Sequence, residues 1–216
     1  MDGGLIENTI TLVSGPAGSG KSLFAMQYLY NGAKGFNEPG IFITLEEGSE
    51  SVKATMNAHG MDVEQLISTG KLFLIDLGEP EADGRGSTKV NGFRSITDLL
   101  QNLIKLSKAK RIVIDSVSAV GAFYVSREEF RRSLINFVRF LKSNKITAVL
   151  ITESTHDSTT RFEVEEYVAD SFILLGLKEV EGKLSRSLVV RKMRHTWHDT
   201  SMHPFTITTR GIEIIK

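Results

Sequence analysis

The 216-residue sequence is 41% hydrophobic and 24% charged, the balance of an ordinary globular chain long enough to bury one substantial core. Its 26 basic and 26 acidic residues cancel, which excludes a global field for gathering nucleic acid or anionic membrane, and the absence of cysteine excludes disulfides, thiol catalysis and cysteine-bound zinc. No apolar run reaches the roughly 18 residues of a membrane span, and MDGGLIENTI has neither the basic nor the apolar region of a signal peptide, so a cytoplasmic protein with one domain over 1–216 is expected.

Apolar runs alternate with helical patterns from the start. TITLVSG predicts a short buried strand closed by glycine, and Lys21 to Ala33 a helix with Leu23, Met26, Tyr30 and Ala33 on one stripe. GIFITLE (40–46) is a second strand, followed by helical segments from Ser49 to Ser68, and KLFLID (71–76) is a third. Residues 77–92, rich in glycine and charge, read as a long mobile surface loop. Ser95 with Asp98 marks a helix start, with the helix running to Lys108, and RIVID (111–115) is an apolar strand with an acid at its end. Ser126 and Glu129 form a capping box opening a helix to Asn144, with Phe130, Leu134, Phe137 and Leu141 inward. TAVLITES (147–154) is another central strand. From Ala169 the pattern changes to strands and turns, with a hairpin at Glu181-Gly182. The expected fold is α/β: a mostly parallel sheet with helices on both faces and an antiparallel C-terminal extension.

GPAGSGKS fits the phosphate-loop pattern G-x-x-x-x-G-K-[ST], between a strand and a helix as that motif requires. Gly15, Pro16, Ala17, Gly18, Ser19 and Gly20 would turn backbone N–H groups toward an anion at a helix N-terminus. Lys21 would reach the β- and γ-phosphates of ATP, and the Ser22 hydroxyl would ligate Mg²⁺ together with Asp115 at the end of RIVID. Hydrolysis needs a carboxylate to orient water. Ser116 stands directly after Asp115, so the acid is expected among Glu46 and Glu47 at the end of the second strand, and spacing does not choose between them. Near the C-terminus, VVRKMRHTWHD reads as a strand carrying Lys192 and Arg194 on one face, aimed at an anion or else discouraging edge pairing.

These parts, with GPAGSGKSLF, the segment EPG-IFITLEE, RIVIDSVSAV, RFEVEEYVADS, RKMRHTWHD and PFTITTRGIEI in order along nearly the whole chain, resemble the RecA-type ATPases of the KaiC-like group, which includes archaeal RadA paralogues. The resemblance implies a RecA-like core, a strand-end glutamate pair as the base, and nucleotide sites between subunits of a ring or filament. It places a nucleotide contact at Leu23 and neighbour-facing residues at Lys192, Arg194, Thr196 and His198. Two departures bear on function. One such domain is present where KaiC has two, and Glu166-Tyr167 stand where its second domain has an autophosphorylated Ser-Thr pair, so neither a clock role nor a phosphorylation cycle is expected. Glu153 occupies the place of the recombinases' amide, and Met1 to Asn8 leaves no room for their N-terminal segment.

Three readings follow. The first is a homo-oligomeric ATP switch serving protein partners. The second is a RadA-paralogue accessory protein binding single-stranded DNA, for which Phe123 and Tyr124 offer stacking surfaces but STHDSTTRFEVEE, with Asp157, Glu163, Glu165 and Glu166, is acidic. The third is a small-molecule P-loop kinase, which would need arginines on a lid in the same subunit.

Overall fold

The computed structural model describes residues 4–78, 90–154 and 158–215. Its frame is a nine-stranded sheet in the order β3-β2-β4-β5-β1-β6-β7-β8-β9. The strands are β1 (Ile10–Gly15), β2 (Gly40–Thr44), β3 (Leu72–Asp76), β4 (Arg111–Asp115), β5 (Thr147–Glu153), β6 (Ser171–Val180), β7 (Lys183–Met193), β8 (His203–Thr208) and β9 (Gly211–Ile214). Pairing is parallel from β3 through β6 and antiparallel from β6 to β9, as the change of sequence pattern predicts. Most of the loop expected at 77–92 lies outside the described residues.

The helices are α1 (Lys21–Gly35), α2 (Ser49–Ala58), α3 (Glu64–Ser68), α4 (Phe93–Ser107), α5 (Val117–Gly121), α6 (Arg127–Ser143) and α7 (Glu165–Val168). Alternation along the central strands feeds two cores. Ile10, Leu12, Ile112 and Ile114 pack with Phe93, Leu100, Phe130 and Phe137 of α4 and α6. Val13, Val113, Val149 and Ile151 pack on the other face with Leu23, Met26 and Leu29 of α1. Burial of both faces explains why these strands read as continuous apolar runs.

Two helix starts differ in outcome. Ser126 caps α6 as expected, its side chain accepting from the Glu129 N–H. At α4 the helix begins at Phe93, two residues before the expected Ser95. Ser95 sits in the first turn, its Oγ donating to Gly92 O (2.9 Å) and accepting from the Asn91 N–H (3.1 Å), so it satisfies the helix entry from inside. The short helices α5 and α7 are absent from the sequence reading; each is too brief to show a period.

Glu181 and Gly182 both have positive φ, the two-residue turn that joins β6 to β7 with the right twist. Further along β7 the register slips: Ile173 faces Val190 but Phe172 faces Lys192, leaving Arg191 as a bulge. The bulge keeps Met193 in the same core as Leu188 and Val190, and puts Lys192 on the Phe172 face. Simple period-two alternation would have placed Lys192 beside Val190.

Candidate functional site

The ends of the parallel strands gather the expected phosphate machinery. β1 finishes at Gly15, where a Cβ would stand 2.5 Å from Leu175 O and 2.6 Å from Ser19 Oγ, so the strand can turn into the loop only as glycine. Gly18 and Gly20 take positive φ, and the first α1 bond is from Phe24 N to Gly20 O (2.9 Å), leaving the N–H groups before it directed out of the helix start. Pro16 O accepts from Ser19 N (3.2 Å) and from Lys21 Nζ (3.0 Å). Ala17 and Gly18 are exposed at the loop's tip. The Ser19 Oγ is buried without a hydrogen-bond partner, so the loop's interior has polar capacity to spare.

The Leu23 side chain is buried in the core, so only its main chain can face a nucleotide.

Asp115 lies beside Thr44 in the β2–β4 register, and its carboxylate is hydrogen-bonded to Ser22. Burial pushes its pKa up to about 6, with Glu46 and Glu47 adding to the rise and the Ser22 hydrogen bond and Lys21 opposing it. Burial likewise lowers the Lys21 pKa, against the attraction of Glu153, Asp115 and Glu46. A deep carboxylate short of positive charge, paired with a hydroxyl, is a hard-oxygen donor set that suits Mg²⁺. Ser22 and Asp115 would hold that ion, which when bound neutralises charge on the transferring phosphoryl group.

The two glutamates part company. Glu46 Oε2 accepts from Ser116 Oγ (3.0 Å), and Glu46 is among the charges acting on Lys21. Glu47 Oε1 instead accepts from Ser51 Oγ on α2 (2.5 Å), while its main chain closes a turn with Thr44. Sequence spacing had no access to this difference, because Ser116 and Ser51 reach the pair from separate elements.

The cationic residues fall elsewhere. β7 runs antiparallel, so Lys192 is level with Phe172, the partner of Leu12, near the start of β1 and away from its glycine end. Lys192 Nζ donates to Glu166 O (2.8 Å) and Ala169 O (2.6 Å). Burial lowers its pKa, reinforced by the neighbouring Arg194. Arg194 follows the strand in a turn, its N–H donating to Asp170 O (3.1 Å) and its guanidinium 3.7 Å from the Asp170 carboxylate. Asp170 is level with Ile10, so Arg194 stands about 17 Å along the sheet from Gly15 at 3.3 Å per residue. Lys192, Arg194, the bulged Arg191, Tyr167 and Phe172 line a hollow of about 420 Å³. Thr196 is exposed and His198 half-buried in the segment beyond.

Sequence reasoning missed one cation at the phosphate loop itself. Arg186 Nε donates to Gly18 O (3.1 Å) from β7, where it faces Leu177 of β6. The available signal was its place two and four residues before Leu188 and Val190, a cation in an inward-facing series. The acids of the 154–166 segment are not an open acidic surface. Glu165 is buried and bonded to Thr152, Glu163 pairs with Arg127 (3.1 Å) and Glu166 accepts from Thr159 (2.9 Å); Asp157 lies outside the described residues. Tyr124 is an anchor, accepting from Phe93 N (2.8 Å) and packed on Phe93 and Phe130, whereas Phe123 is 49% exposed. A cavity of about 700 Å³ lies between α1 and β7–β9 and includes no phosphate-loop residue.

The family model described as "ATPase: KaiC" matches residues 1–216. The chain belongs to the KaiC family of ATPases. Circadian clock oscillator proteins KaiC from Parathermosynechococcus lividus and Synechococcus elongatus are 39% and 37% identical to it over 98% of its length. The chain spans only 39% and 41% of those two proteins. The crystal structure of a KaiC-like protein from Pyrococcus horikoshii superposes with a TM-score of 0.86 and 31% identity, covering all of this chain and 93% of the other. The RecA-like fold of the KaiC family is therefore the fold of this chain. No helix among the described residues is long and apolar enough to cross a membrane.

Proposed function

We propose that this KaiC-family chain is a Mg²⁺-dependent ATPase working as a homo-oligomeric switch, with ATP held between subunits. The observation that carries this reading is the division of labour across the sheet. The phosphate loop, Ser22, Asp115 and Glu46 stand at one edge, and Lys192 and Arg194 at the other, their heads tied to residues 166–170. Those two cations cannot serve their own subunit's phosphates, and a neighbour's site is the anion they fit.

Within the site, Glu46 is the general base: it is held toward Asp115 and Lys21 by Ser116, where a water in line with the γ-phosphoryl would be oriented. Lys192 and Arg194, with Thr196 and His198 behind them, supply charge to the adjacent subunit's transition state. Protein partners fit such a switch better than single-stranded DNA, because of the adjacent pair Phe123 and Tyr124 the tyrosine is consumed in the core and only the phenylalanine remains to stack. The kinase alternative needs arginines on a lid; Arg186 does reach the loop in the same subunit, but from a sheet strand.

ATP turnover per subunit across a protein dilution series, with assembly size followed by light scattering at saturating Mg²⁺, tests the reading. Turnover should collapse as assemblies dissociate. Undiminished turnover in monomers would refute it.

A further inference from the structure

The face of the sheet opposite α1 carries a charge that neither the phosphate site nor Lys192 and Arg194 use. α4 and α6 lie side by side on it, the Phe93 ring stacking on Phe137 (centroids 5.0 Å apart) and packing on Phe130 (5.7 Å). Residues 93–110 and 126–145, the two helices with their flanking turns, contain ten basic and three acidic residues, in a chain whose formal charge is zero. Arg127 and Lys142 are spent on Glu163 and Asp170. Arg94, Lys105 and Lys108, in or just after α4, and Arg132, Arg139 and Lys145, in or just after α6, are exposed. None of these six makes an ion pair among the described residues. Arg132 and Arg139 stand about two helical turns apart and Arg94 and Lys105 about three, so each pair shares one side of its helix.

Helix stability accounts for some of these cations and not for others. Lys105, Lys108 and Lys145 stand at the C-terminal ends of α4 and α6, where positive charge offsets the helix dipole. Arg94 stands in the first turn of α4, a turn without an acid, where the same dipole disfavours a cation. Arg139 has only Ile135, Asn136, Lys142 and Ser143 at the intervals where a helix pairs its charges. Arg132 makes no ion pair with Glu128 or Glu129 in the turn before it. Guanidinium groups held free, one of them against the dipole, are placed for an anion from outside.

The rest of the face indicates what kind. Leu106 is 81% exposed between Lys105 and Lys108, and Gln101, Asn102 and Asn136 are exposed with it, while Asp98 and Glu128 lie among the cations. Bases would find no exposed aromatic ring on either helix to stack on, and a continuous phosphate backbone would meet the two acids. One leucine is a slight anchor for a bilayer. A protein surface offers carboxylates mixed with aliphatic and amide groups, and arginine is enriched where such surfaces meet.

We propose that the outer face of α4 and α6 docks a protein partner through an acidic segment that carries aliphatic side chains. The proposal deepens the reading of a switch that serves protein partners, and rests on it for the nature of the occupant. α1, with Lys21 and Ser22 at its start, lies on the other face of the sheet, so a partner docked here leaves the phosphate loop open.

Binding is measured on the nucleotide-free full chain at about 0.15 M salt, where charges are screened beyond about 8 Å. The probes are a labelled oligoglutamate peptide interspersed with leucine, single-stranded and duplex DNA oligonucleotides, and vesicles of phosphatidylcholine with phosphatidylserine. The peptide should bind most tightly, and the triple variant Arg94→Gln, Arg132→Gln, Arg139→Gln should weaken it about tenfold. Lys71→Gln with Lys178→Gln and Lys183→Gln, which removes as many cations from outside the two helices, should leave peptide binding unchanged. The triple arginine variant should also melt no lower than wild type, because the arginines do not hold the fold.

Absence of peptide binding overturns the inference, as does binding that survives the arginine variant or falls equally in the lysine control. Tighter binding of DNA or of vesicles than of the peptide also overturns it, making the occupant a nucleic acid or a membrane. A lower melting temperature in the arginine variant would make those residues part of the fold and remove the argument. None of these measurements involves turnover or dilution, so failure of the assembly reading and failure of this inference are told apart.

Discussion

Asp115 is a residue whose removal should stabilise the protein while disabling it. Burial holds its carboxyl at about 6 against an ordinary value of 3.8, so the ionised form is disfavoured in the folded state. At 1.36 kcal/mol per pH unit, a rise of that size costs about 3 kcal/mol of stability once the group is ionised. The sign follows from the direction. A raised folded-state pKa means the native state binds the proton more tightly, so this contribution is intact below the unfolded value and is lost as pH climbs through about 6. Asp115→Asn keeps an acceptor for Ser22 and removes the charge. Without nucleotide at pH 7.5 it should melt ~6–12 °C above wild type, taking 2–4 °C per kcal/mol for a chain of this size. Near pH 4 the two should converge. Adding Mg²⁺ and ATP should raise the wild-type melting temperature far more than that of the variant. Calorimetry or dye-monitored melting at both pH values reads this directly. An Asp115→Asn protein no more stable than wild type at pH 7.5 would refute the argument that the buried charge awaits a counter-ion.

Glu46→Gln should lower kcat by about 10²–10⁴ with little change in ATP binding, whereas Glu47→Gln, whose carboxylate is engaged with Ser51, should stay within about tenfold of wild type. Equal losses in single-turnover assays would return the choice between them to open. Arg186→Ala removes the bond to Gly18 O and should weaken ATP binding about three- to tenfold without moving kcat, as measured by nucleotide titration. Gly121→Ala puts a methyl into the space taken by the Phe162 ring and should cost about 1–3 kcal/mol in denaturant unfolding; an unchanged midpoint would mean that Phe162 is not packed there.

What the sequence made legible was what is local. Strand, glycine turn and helix N-terminus are contiguous at Gly15–Ser22, so the phosphate loop and the strand-end Asp115 are readable residue by residue. The strand order was not, because β1 pairs with chain more than a hundred residues away and no local signal names its partners. Nor was the difference between Glu46 and Glu47, which depends on hydroxyls reaching them from β4's exit and from α2. The bulge at Arg191 shows the limit most clearly. Alternation puts Lys192 and Arg194 together but reads their face as that of Val190, and only the slipped pairing with Phe172 turns Lys192 to the opposite face. Glu165 was misread as surface charge for a similar reason: its donors Thr152, Phe162 and Val164 converge only after folding.

The position of β1 between β5 and β6 has a consequence for the birth of the molecule. Ile10 pairs with Ala148 and Thr11 with Ser171, so the strand carrying the phosphate loop has no sheet partner until most of the chain exists. On the ribosome, β2, β3 and β4 can meet earlier, while this apolar strand waits. Such late, distant pairing makes for slow folding and a period of exposure to aggregation. The ATP site is thus a late part of the nascent protein to become competent, and a chain stalled before Thr147 would carry the entire Gly15–Ser22 motif with neither sheet neighbour of β1 made.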